Sequence, residues 1–482
     1  MHHQNSQAAW GGLTSFLAPC LLLLCLAFSL PAEAQKGKPL VLDFPLDLYG
    51  EDLQHIPCDT LGLCVFHTLI HNDSCQFELL HYDCNLQQVG HIRLMTPLET
   101  TLEAACYGDG VLTVLFQNRE KKRRSGHGVL LRYNCVQKKT DTLSIDGLAA
   151  GKVFSLERHP GLTLFTAARA NNKGKDLYYL PEGSTHAQRL YIPDAIDYQI
   201  EDFGVDTVMH HVLAALRSTV NNQTLLWLCE TDYDRNILFT AQLPDTLGHR
   251  CESLRMTLLD SSQWLLAGIY DSRANNVTMG VYTLPYHDMQ FDSLSLHPYT
   301  TASIIAANNS QYYHTGGKIM RDTNGIVFIT ETLYPEYHDR PIYNYGIMTY
   351  EQSFYGYRYM SADVFIFQPD GSETWYYNFP YDNILSQQIG SYLNFSFLPD
   401  RYLLYYTRGN DLVTMLTNQN DDILDSKRTS NLFPTSASSP YSYEGTQMKP
   451  WYGGYYLLSG KKMSTRSSLG GSKYFIHKLW YR

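Results

Sequence analysis

The chain has 482 residues, of which 44% are hydrophobic and 17% are charged, with 47 acidic against 37 basic side chains. This composition excludes an intrinsically disordered protein, because it supplies enough apolar residues for a large core. The net charge of −10 argues against a nucleic-acid partner and against a polybasic contact with a membrane.

The N-terminal segment predicts export. Residues 16–30 are apolar, and the sequence PAEA that follows matches the small-residue rule for signal-peptide cleavage. We expect residues 1–34 to be a signal peptide and residues 35–482 to be delivered to the periplasm, the cell surface or the medium. An uncleaved anchor is the alternative, because no Lys or Arg precedes the apolar run. No later apolar segment is long enough for a membrane span.

An internal repeat of about fifty residues occupies the rest of the chain. Each copy has an apolar strand, a polar turn and a second apolar strand, as in LTLFTAARANNKGKDLYYLPEG. The copies start near Leu63, Val111, Leu162, His211, Trp264, Ile326, Tyr402 and Gly454. Repeats of this period with two to four strands per unit are typical of propellers and solenoids.

We predict an all-β fold, a β-propeller of seven or eight blades, in which each repeat supplies the central strands of a four-stranded blade. A β-rich solenoid or two smaller propeller-like halves are the alternatives. A ring is favoured because the last predicted strand, residues 473–480, reaches the C-terminus without a capping segment. We expect residues 35–482 to form a single domain.

Eight cysteines follow the predicted cleavage site, an even number in a chain expected to be exported. They flank the predicted hairpins, and the first two pairs occupy equivalent positions in two repeats. The predicted disulfides are Cys58–Cys84, Cys106–Cys135 and Cys229–Cys251. Cys64 and Cys75 remain, and their phase across the hairpin is imperfect for a further pair. No C-x-x-C motif occurs and the spacings are long and irregular, so we expect no metal site and no cofactor.

A tyrosine-rich insertion, residues 333–360, lies between the two strands of the sixth repeat. Tyrosine combines an apolar ring with a polar tip, which suits contacts with sugars and with peptides. The candidate binding residues are Tyr334, Tyr337, Tyr343, Tyr345, Tyr355, Tyr357 and the nearby Trp375. We expect a glycan or protein partner, with the oligomeric state left open. A loop whose tyrosines bury one another is the alternative.

Ionisable residues beside the insertion suggest a second hypothesis. Glu331 and Asp363, with His338, supply the acid–base groups that a carbohydrate-active hydrolase or lyase needs. Glu331 ends a predicted strand and is therefore expected at a propeller face. The alternative is that Glu331 pairs with Arg340 or Arg358 and orders the insertion. The leading hypothesis remains an exported binding or scaffold protein without catalysis.

Residues 325–425 resemble a group of exported bacterial propeller-like proteins without an assigned activity. The resemblance is carried by four parts in order: Ile329–Glu331, the tyrosine-rich insertion, the strand around Ser361–Phe365, and Asp370-Gly371 running into Trp375. Residues 455–482 have the same appearance. The resemblance implies export to a bacterial envelope or beyond, and acidic side chains at Glu331 and Asp363. It implies no reaction.

Overall fold

The structure is a computed structural model. It describes residues 40–49, 52–70, 74–97, 100–120, 123–148, 151–169, 174–192, 198–220, 223–244, 248–272, 277–300, 312–322, 325–344, 347–398, 401–418, 422–433, 441–464 and 471–480. The chain divides into two units, Met1–Leu40 and Val41–Arg482, and every described strand lies in the second. The predicted signal peptide, residues 1–34, falls outside the described residues. In the part that is described, no helix is long and apolar enough to cross a membrane.

Each repeat forms one antiparallel sheet, which is one blade. A first strand, β1 (Val41–Pro45), and a short helix, α1 (Leu46–Tyr49), precede blade 1. Blade 1 contains β2 (Gln54–Pro57), a 3-10 turn (Asp59–Leu61), β3 (Leu63–Ile70), β4 (Ser74–Tyr82) and β5 (Gln88–Pro97). Blade 2 contains β6 (Thr100–Gly108), β7 (Val111–Glu120), β8 (Arg123–Asn134) and β9 (Lys139–Asp146). Blade 3 contains β10 (Val153–His159), β11 (Leu162–Ala168), β12 (Lys175–Pro181) and β13 (Gln188–Arg189). Blade 4 contains β14 (Tyr198–Asp206), β15 (His211–Val220), β16 (Gln223–Asp232) and β17 (Ile237–Gln242).

The next four blades follow the same plan, with extra short strands in two of them. Blade 5 contains β18 (His249–Cys251), β19 (Arg255–Asp260), β20 (Gln263–Ser272), β21 (Val277–His287), β22 (Gln290–Phe291) and β23 (Ser295–Pro298). Blade 6 contains β24 (Tyr313–His314), β25 (Lys318–Asp322), β26 (Gly325–Asn344), β27 (Ile347–Phe367) and β28 (Glu373–Ser386). Blade 7 contains β29 (Asn394–Leu398), β30 (Arg401–Arg408), β31 (Asp411–Thr417) and β32 (Ile423–Asn431). Blade 8 contains β33 (Tyr441–Pro450), β34 (Tyr455–Ser464) and β35 (Lys473–Trp480).

The repeat prediction is confirmed. Each predicted hairpin start lies within one residue of the second main strand of a blade, from Leu63 at the start of β3 to Gly454 just before β34. The β-propeller prediction is confirmed as well, with eight blades among the described residues.

The N-terminal strand closes the ring. Strand β1 pairs with β35, from Val41 opposite His477 to Pro45 opposite Lys473, and so becomes the fourth strand of blade 8. The Trp451 indole N–H donates to the Gly62 carbonyl at 2.9 Å, which joins blade 8 to blade 1. A closed ring leaves no blade face without a neighbour, so it needs no caps.

The core of the protein lies between the blades. Every pair of adjacent blades shares an apolar cluster, including the pair of blades 8 and 1. In the blade 1–2 core, Phe77 packs edge-on against Phe116 at 5.0 Å between ring centroids. In the blade 6–7 core, Trp375 packs against Tyr402. Because each sheet is covered on both faces, the central strands are buried almost throughout.

Candidate functional site

The hairpin of blade 6 is far longer than its counterparts. Strands β26 and β27 have 20 and 21 residues and stay paired from Ile326 opposite Phe367 to Asn344 opposite Ile347. The predicted insertion, residues 333–360, is therefore not a loop between the strands but their continuation beyond the blade. We call residues 334–344 and 347–358 the ribbon.

The ribbon begins at two irregularities in strand pairing. The register shifts between Thr332 and Leu333, and again between Glu336 and Tyr337. Such bulges bend a strand pair and increase its twist. Strand β28 pairs with β27 only as far as Tyr357, and β24 pairs with β26 only at Thr332 and Leu333. Farther out, the described ribbon strands pair only with each other.

One face of the outer ribbon is aromatic and exposed. Opposed residues share a face of a sheet, as do alternate residues along a strand. Tyr337 lies opposite Phe354, Pro341 opposite Tyr350, and Tyr343 opposite Met348, with Asp339 and Gln352 between them. The exposed fractions are 53% for Tyr337, 43% for Phe354, 65% for Tyr350, 73% for Tyr343 and 44% for Met348. We call these five side chains the aromatic face.

The opposite face of the ribbon is mostly polar. It contains His338 opposite Ser353 and Arg340 opposite Glu351. His338 hydrogen-bonds to Glu336 at 3.0 Å and stacks on the Tyr355 ring at 3.9 Å. The ribbon is thus amphipathic, although no described strand or loop covers its apolar side.

Glu336 anchors the base of the ribbon through an ion pair. Its carboxylate accepts hydrogen bonds from the Arg358 guanidinium and from His338. The Arg358 bond and the His338 bond lower the pKa of Glu336 to about 2. Arg358 therefore pairs with Glu336, not with Glu331 as one sequence interpretation required.

Glu331 is fully buried, and its prediction at a strand end is wrong. Strand β26 continues to Asn344, so Glu331 lies within the strand and not at its end. Its buried side chain points into the blade 6–7 core. Its Oε1 accepts hydrogen bonds from the Tyr381 hydroxyl and from the backbone N–H groups of Tyr392 and Leu393, the latter two at 2.8 Å. Burial raises the pKa of Glu331, and these hydrogen bonds oppose the rise.

Asp363 is also fully buried, but on the other side of blade 6. It lies opposite Thr330, so its side chain faces away from Glu331, whose partner across the strand pair is Ala362. Asp363 Oδ1 accepts a hydrogen bond from the Tyr376 hydroxyl at 2.7 Å, and Tyr376 packs against the blade 5–6 core. The sheet of blade 6 therefore separates the two carboxylates.

The three candidate catalytic residues do not form one site. Glu331 and Asp363 lie in different inter-blade cores, whereas His338 is exposed on the ribbon. A glycosidic bond needs two carboxyl groups within reach of one open cleft. The structure does not bring these three residues together in one open cleft.

The predicted binding residues separate into three groups. Tyr337, Tyr343 and Tyr355 are exposed on the ribbon, whereas Trp375 is buried in the blade 6–7 core. Tyr334 and Tyr357 are partly exposed at the ribbon base. Tyr345 falls outside the described residues. The sequence interpretation did not name Met348, Tyr350 and Phe354 among its candidates, although the period-two pattern of a continuing strand would have placed them on the same exposed face as Tyr337.

A cavity of about 730 Å³ lies near the ribbon base. Blades 6, 7 and 8 contribute Ser386, Tyr392, Asn394, Arg408, Gln447 and Lys449 to its lining. The antiparallel strand order places the outer ribbon, the Arg408–Asp411 turn and the β28–β29 connection at the same propeller face. No motif in the sequence indicates this cavity, because three separate repeats form it.

The structure does not form the predicted disulfides. The eight cysteines among the described residues are free thiols. Cys58 contributes to the blade 1–2 core and Cys84 to the blade 8–1 core, so blade 1 separates them. Blade 2 separates Cys106 from Cys135, and blade 4 separates Cys229 from Cys251. The position of a cysteine near the end of a hairpin does not determine on which face of the sheet its side chain lies. The predicted pairs were wrong because the two cysteines of each pair lie on opposite faces.

A different set of cysteines lies together. The sulfur atoms of Cys58, Cys64 and Cys135 are all within 4.8 Å of one another in the blade 1–2 core. Hydrogen bonding to Cys58 and Cys64 lowers the pKa of the Cys135 thiol, whereas hydrogen bonding within the cluster and burial raise the pKa values of the Cys58 and Cys64 thiols. Cys75 lies apart, opposite Ile70 at the far end of β3 from Cys64.

Comparisons with known proteins give distant structural likenesses. No protein-family model and no curated protein sequence matches the chain. A prolyl endopeptidase structure is 12% identical, covering 95% of this chain and 59% of that chain with a TM-score of 0.40. The propeller domain of the Trilobed protease from Pyrococcus furiosus is 6% identical, covering 79% and 97% with a TM-score of 0.38.

The Dos1 propeller is a third likeness, at 11% identity, covering 75% of this chain and 76% of that chain with a TM-score of 0.38. This chain spans less than two thirds of the prolyl endopeptidase chain. The propeller assignment depends on the sheet order and on ring closure within this molecule, and not on these likenesses.

Proposed function

We propose that this protein is an exported binding or scaffold protein, and that the aromatic face of the ribbon docks a protein partner. The observation that carries the proposal is the exposure of five large apolar side chains on one face of an amphipathic ribbon. Exposed apolar side chains grouped on one face in this way mark interaction sites in soluble proteins.

The side-chain composition favours a protein over a glycan. Tyrosine, phenylalanine and methionine are enriched in the cores of protein–protein interfaces. Met348 and Phe354 add apolar surface that has no hydrogen-bonding group. Such a surface contacts the apolar side chains of a peptide more favourably than it contacts a polar sugar.

The strand edges of the ribbon support the same proposal. Beyond Tyr357 the described ribbon strands have no third strand beside them. An extended peptide can add to such an edge through main-chain hydrogen bonds, while its side chains meet the neighbouring face. The ribbon therefore offers a partner both a hydrogen-bonding edge and an apolar surface.

We also propose that the protein is exported. Export is supported by the apolar segment 16–30 and the cleavage-like sequence PAEA after it. We also propose that residues 35–482 form a single domain.

Site-specific photocrosslinking in the cells that make the protein tests the docking proposal. A photoreactive residue replaces Tyr343 on the aromatic face or, in the matched control, Thr349 on the polar face; both positions are exposed and close to the ribbon tip. We expect one discrete protein adduct from position 343 and none from position 349. Adducts of equal yield from both positions would contradict the proposal.

Affinity measurements with the captured partner give the second test. Removing one interface anchor usually costs about 1 to 2 kcal/mol, so Tyr350→Ser should weaken binding roughly tenfold. Thr349→Ser should leave the affinity unchanged. The partner would be a glycan, and not a protein, if two results came together. The wild type would be retained on polysaccharides while Tyr350→Ser was not, and no protein adduct would form. An adduct with the mass of two copies of this chain would identify self-association instead.

A further inference from the structure

The buried thiol cluster brings together residues that are distant in the sequence. Cys58 precedes the 3-10 turn of blade 1, Cys64 lies in β3, and Cys135 follows β8 of blade 2. All three side chains are buried, with exposed fractions of 3% or less. The cluster therefore bridges two blades inside one inter-blade core.

The spacing of the sulfur atoms fits metal ligation. Three thiolates at the Zn–S distance of about 2.3 Å around one ion lie roughly 4 Å from one another. The Cys64 and Cys135 sulfurs are 4.0 Å apart, and all three lie within 4.8 Å of one another. A disulfide needs about 2.05 Å between its sulfurs, which is half the separation seen here.

The surroundings favour a soft cation held by sulfur alone. The cluster packs among Phe66, Phe77 and Leu112, which exclude water from it. His81 uses its Nδ1 with the Tyr133 hydroxyl at 3.0 Å and its Nε2 with the Leu61 carbonyl at 2.9 Å, so both ring nitrogens are engaged. Among the described residues, no fourth His, Cys, Asp or Glu side chain joins the three thiols.

We propose that Cys58, Cys64 and Cys135 form a three-thiolate site for a thiophilic cation of the Cu(I) or Zn(II) class, which ties blade 1 to blade 2. Soft thiolate ligands select these ions over Mg²⁺ and Ca²⁺. Each thiol that binds loses its proton to solvent, and no group is oxidised or reduced. The site is separate from the ribbon and does not depend on the docking proposal.

Metal stoichiometry tests the site on the full-length protein. Metal-free, reduced protein is mixed anaerobically with Zn²⁺ or with Cu⁺, desalted, and analysed by inductively coupled plasma mass spectrometry. We expect one bound ion per chain in the wild type and in Cys229→Ser, the matched control, because Cys229 is a buried thiol in the blade 3–4 core. We expect Cys64→Ser to lose the ion. A wild type that retains neither metal, or a Cys64→Ser variant that still retains one, would overturn the proposal.

X-ray absorption of the loaded wild type tests the site even if Cys64→Ser fails to fold. Three sulfur neighbours at about 2.3 Å are expected around the metal. Two or fewer sulfur neighbours would refute the three-thiolate site. The zinc-loaded protein could show a fourth ligand that is a light atom, while the copper-loaded protein shows only the three sulfur ligands. That result would identify Cu(I) as the ion that fits the three-thiolate site better. Non-reducing peptide mapping that finds a Cys64–Cys135 disulfide in the protein as isolated would also overturn the proposal.

Discussion

The inner and outer halves of the blade 6 hairpin contain similar residues in very different surroundings. In the inner half, Phe328 and Phe365 are fully buried between blades 5 and 6. In the outer half, Tyr343 and Tyr350 are mostly exposed on the ribbon. Both halves are paired antiparallel strands, and the register shifts only at the base of the ribbon. The comparison shows that neighbouring blades, and not the strand pattern, decide which aromatic residues form the core.

The carboxylates of the two halves differ in the same way. Glu331 in the inner half is bound by a tyrosine hydroxyl and two backbone N–H groups in a dry core. Glu336 at the ribbon base is bound by the Arg358 guanidinium. Burial raises the pKa of the first, and the arginine lowers the pKa of the second. Stability should therefore depend on pH in opposite directions at the two sites.

The largest expected difference between the halves is in the free energy of unfolding that is lost when an aromatic side chain is truncated to alanine. Phe328→Ala should lower the free energy of unfolding by about 3 to 5 kcal/mol, because it opens a cavity in the blade 5–6 core. Tyr350→Ala should change that free energy by less than about 0.5 kcal/mol, because the side chain is largely exposed. Urea unfolding of the two variants beside the wild type measures both effects. Equal losses would show that the ribbon contributes to the core.

A second test uses Glu331→Gln and the pH dependence of unfolding. An acid with a raised pKa in the folded state favours folding most below its unfolded pKa, and this contribution is lost as the pH rises through the folded-state value. We therefore expect the stability of the wild type relative to Glu331→Gln to fall as the pH rises above the ordinary glutamate value of 4.5. Urea midpoints across this range measure it. A relative stability that rises with pH would show that Glu331 is held as a stabilised carboxylate.

The smallest expected effect is at Glu336, and it has the opposite sign. Its pKa is lowered to about 2, so its contribution is present above the ordinary value of 4.5 and is lost as the pH falls from 4.5 towards 2. Glu336→Gln should therefore lower the stability slightly at neutral pH, because exposed ion pairs contribute little, and this difference from the wild type should disappear as the pH falls towards 2. Thermal unfolding of this variant and of the wild type from neutral pH down into acid, with His338→Gln as the companion variant, measures this. A larger effect of Glu336→Gln in acid than at neutral pH would contradict the assignment.

The repeat made the propeller predictable. An apolar strand pair recurring eight times must be stacked against its neighbours, and each predicted start matches a central strand. The ribbon was mistaken for an inserted loop because its tyrosines and charges hide the alternation that continues from Glu331 to Asn344. That error also placed Glu331 at a strand end, when it lies inside the blade 6–7 core.

The sites that combine two or more blades could not be read from the sequence. Cys64 and Cys135 meet because β3 and the end of β8 face each other across the blade 1–2 core, and no local pattern records how two sheets are stacked. The cavity near the ribbon has the same origin, since three blades supply its lining. By contrast, the faces of the ribbon follow from period-two alternation once its register is known.

The ring cannot close until the last blade has been synthesised, because β1 pairs with β35. Strand β1 is made before every other described strand, but β35, with which it pairs among the described residues, is made last of them. At about 5 to 20 residues per second, the chain between them takes roughly 20 to 90 s to make. Until β35 has been made, Val41–Pro45 cannot form its native pairing, and an unpaired strand can pair with another chain. A partner or chaperone that occupied this segment would control when the last blade is completed.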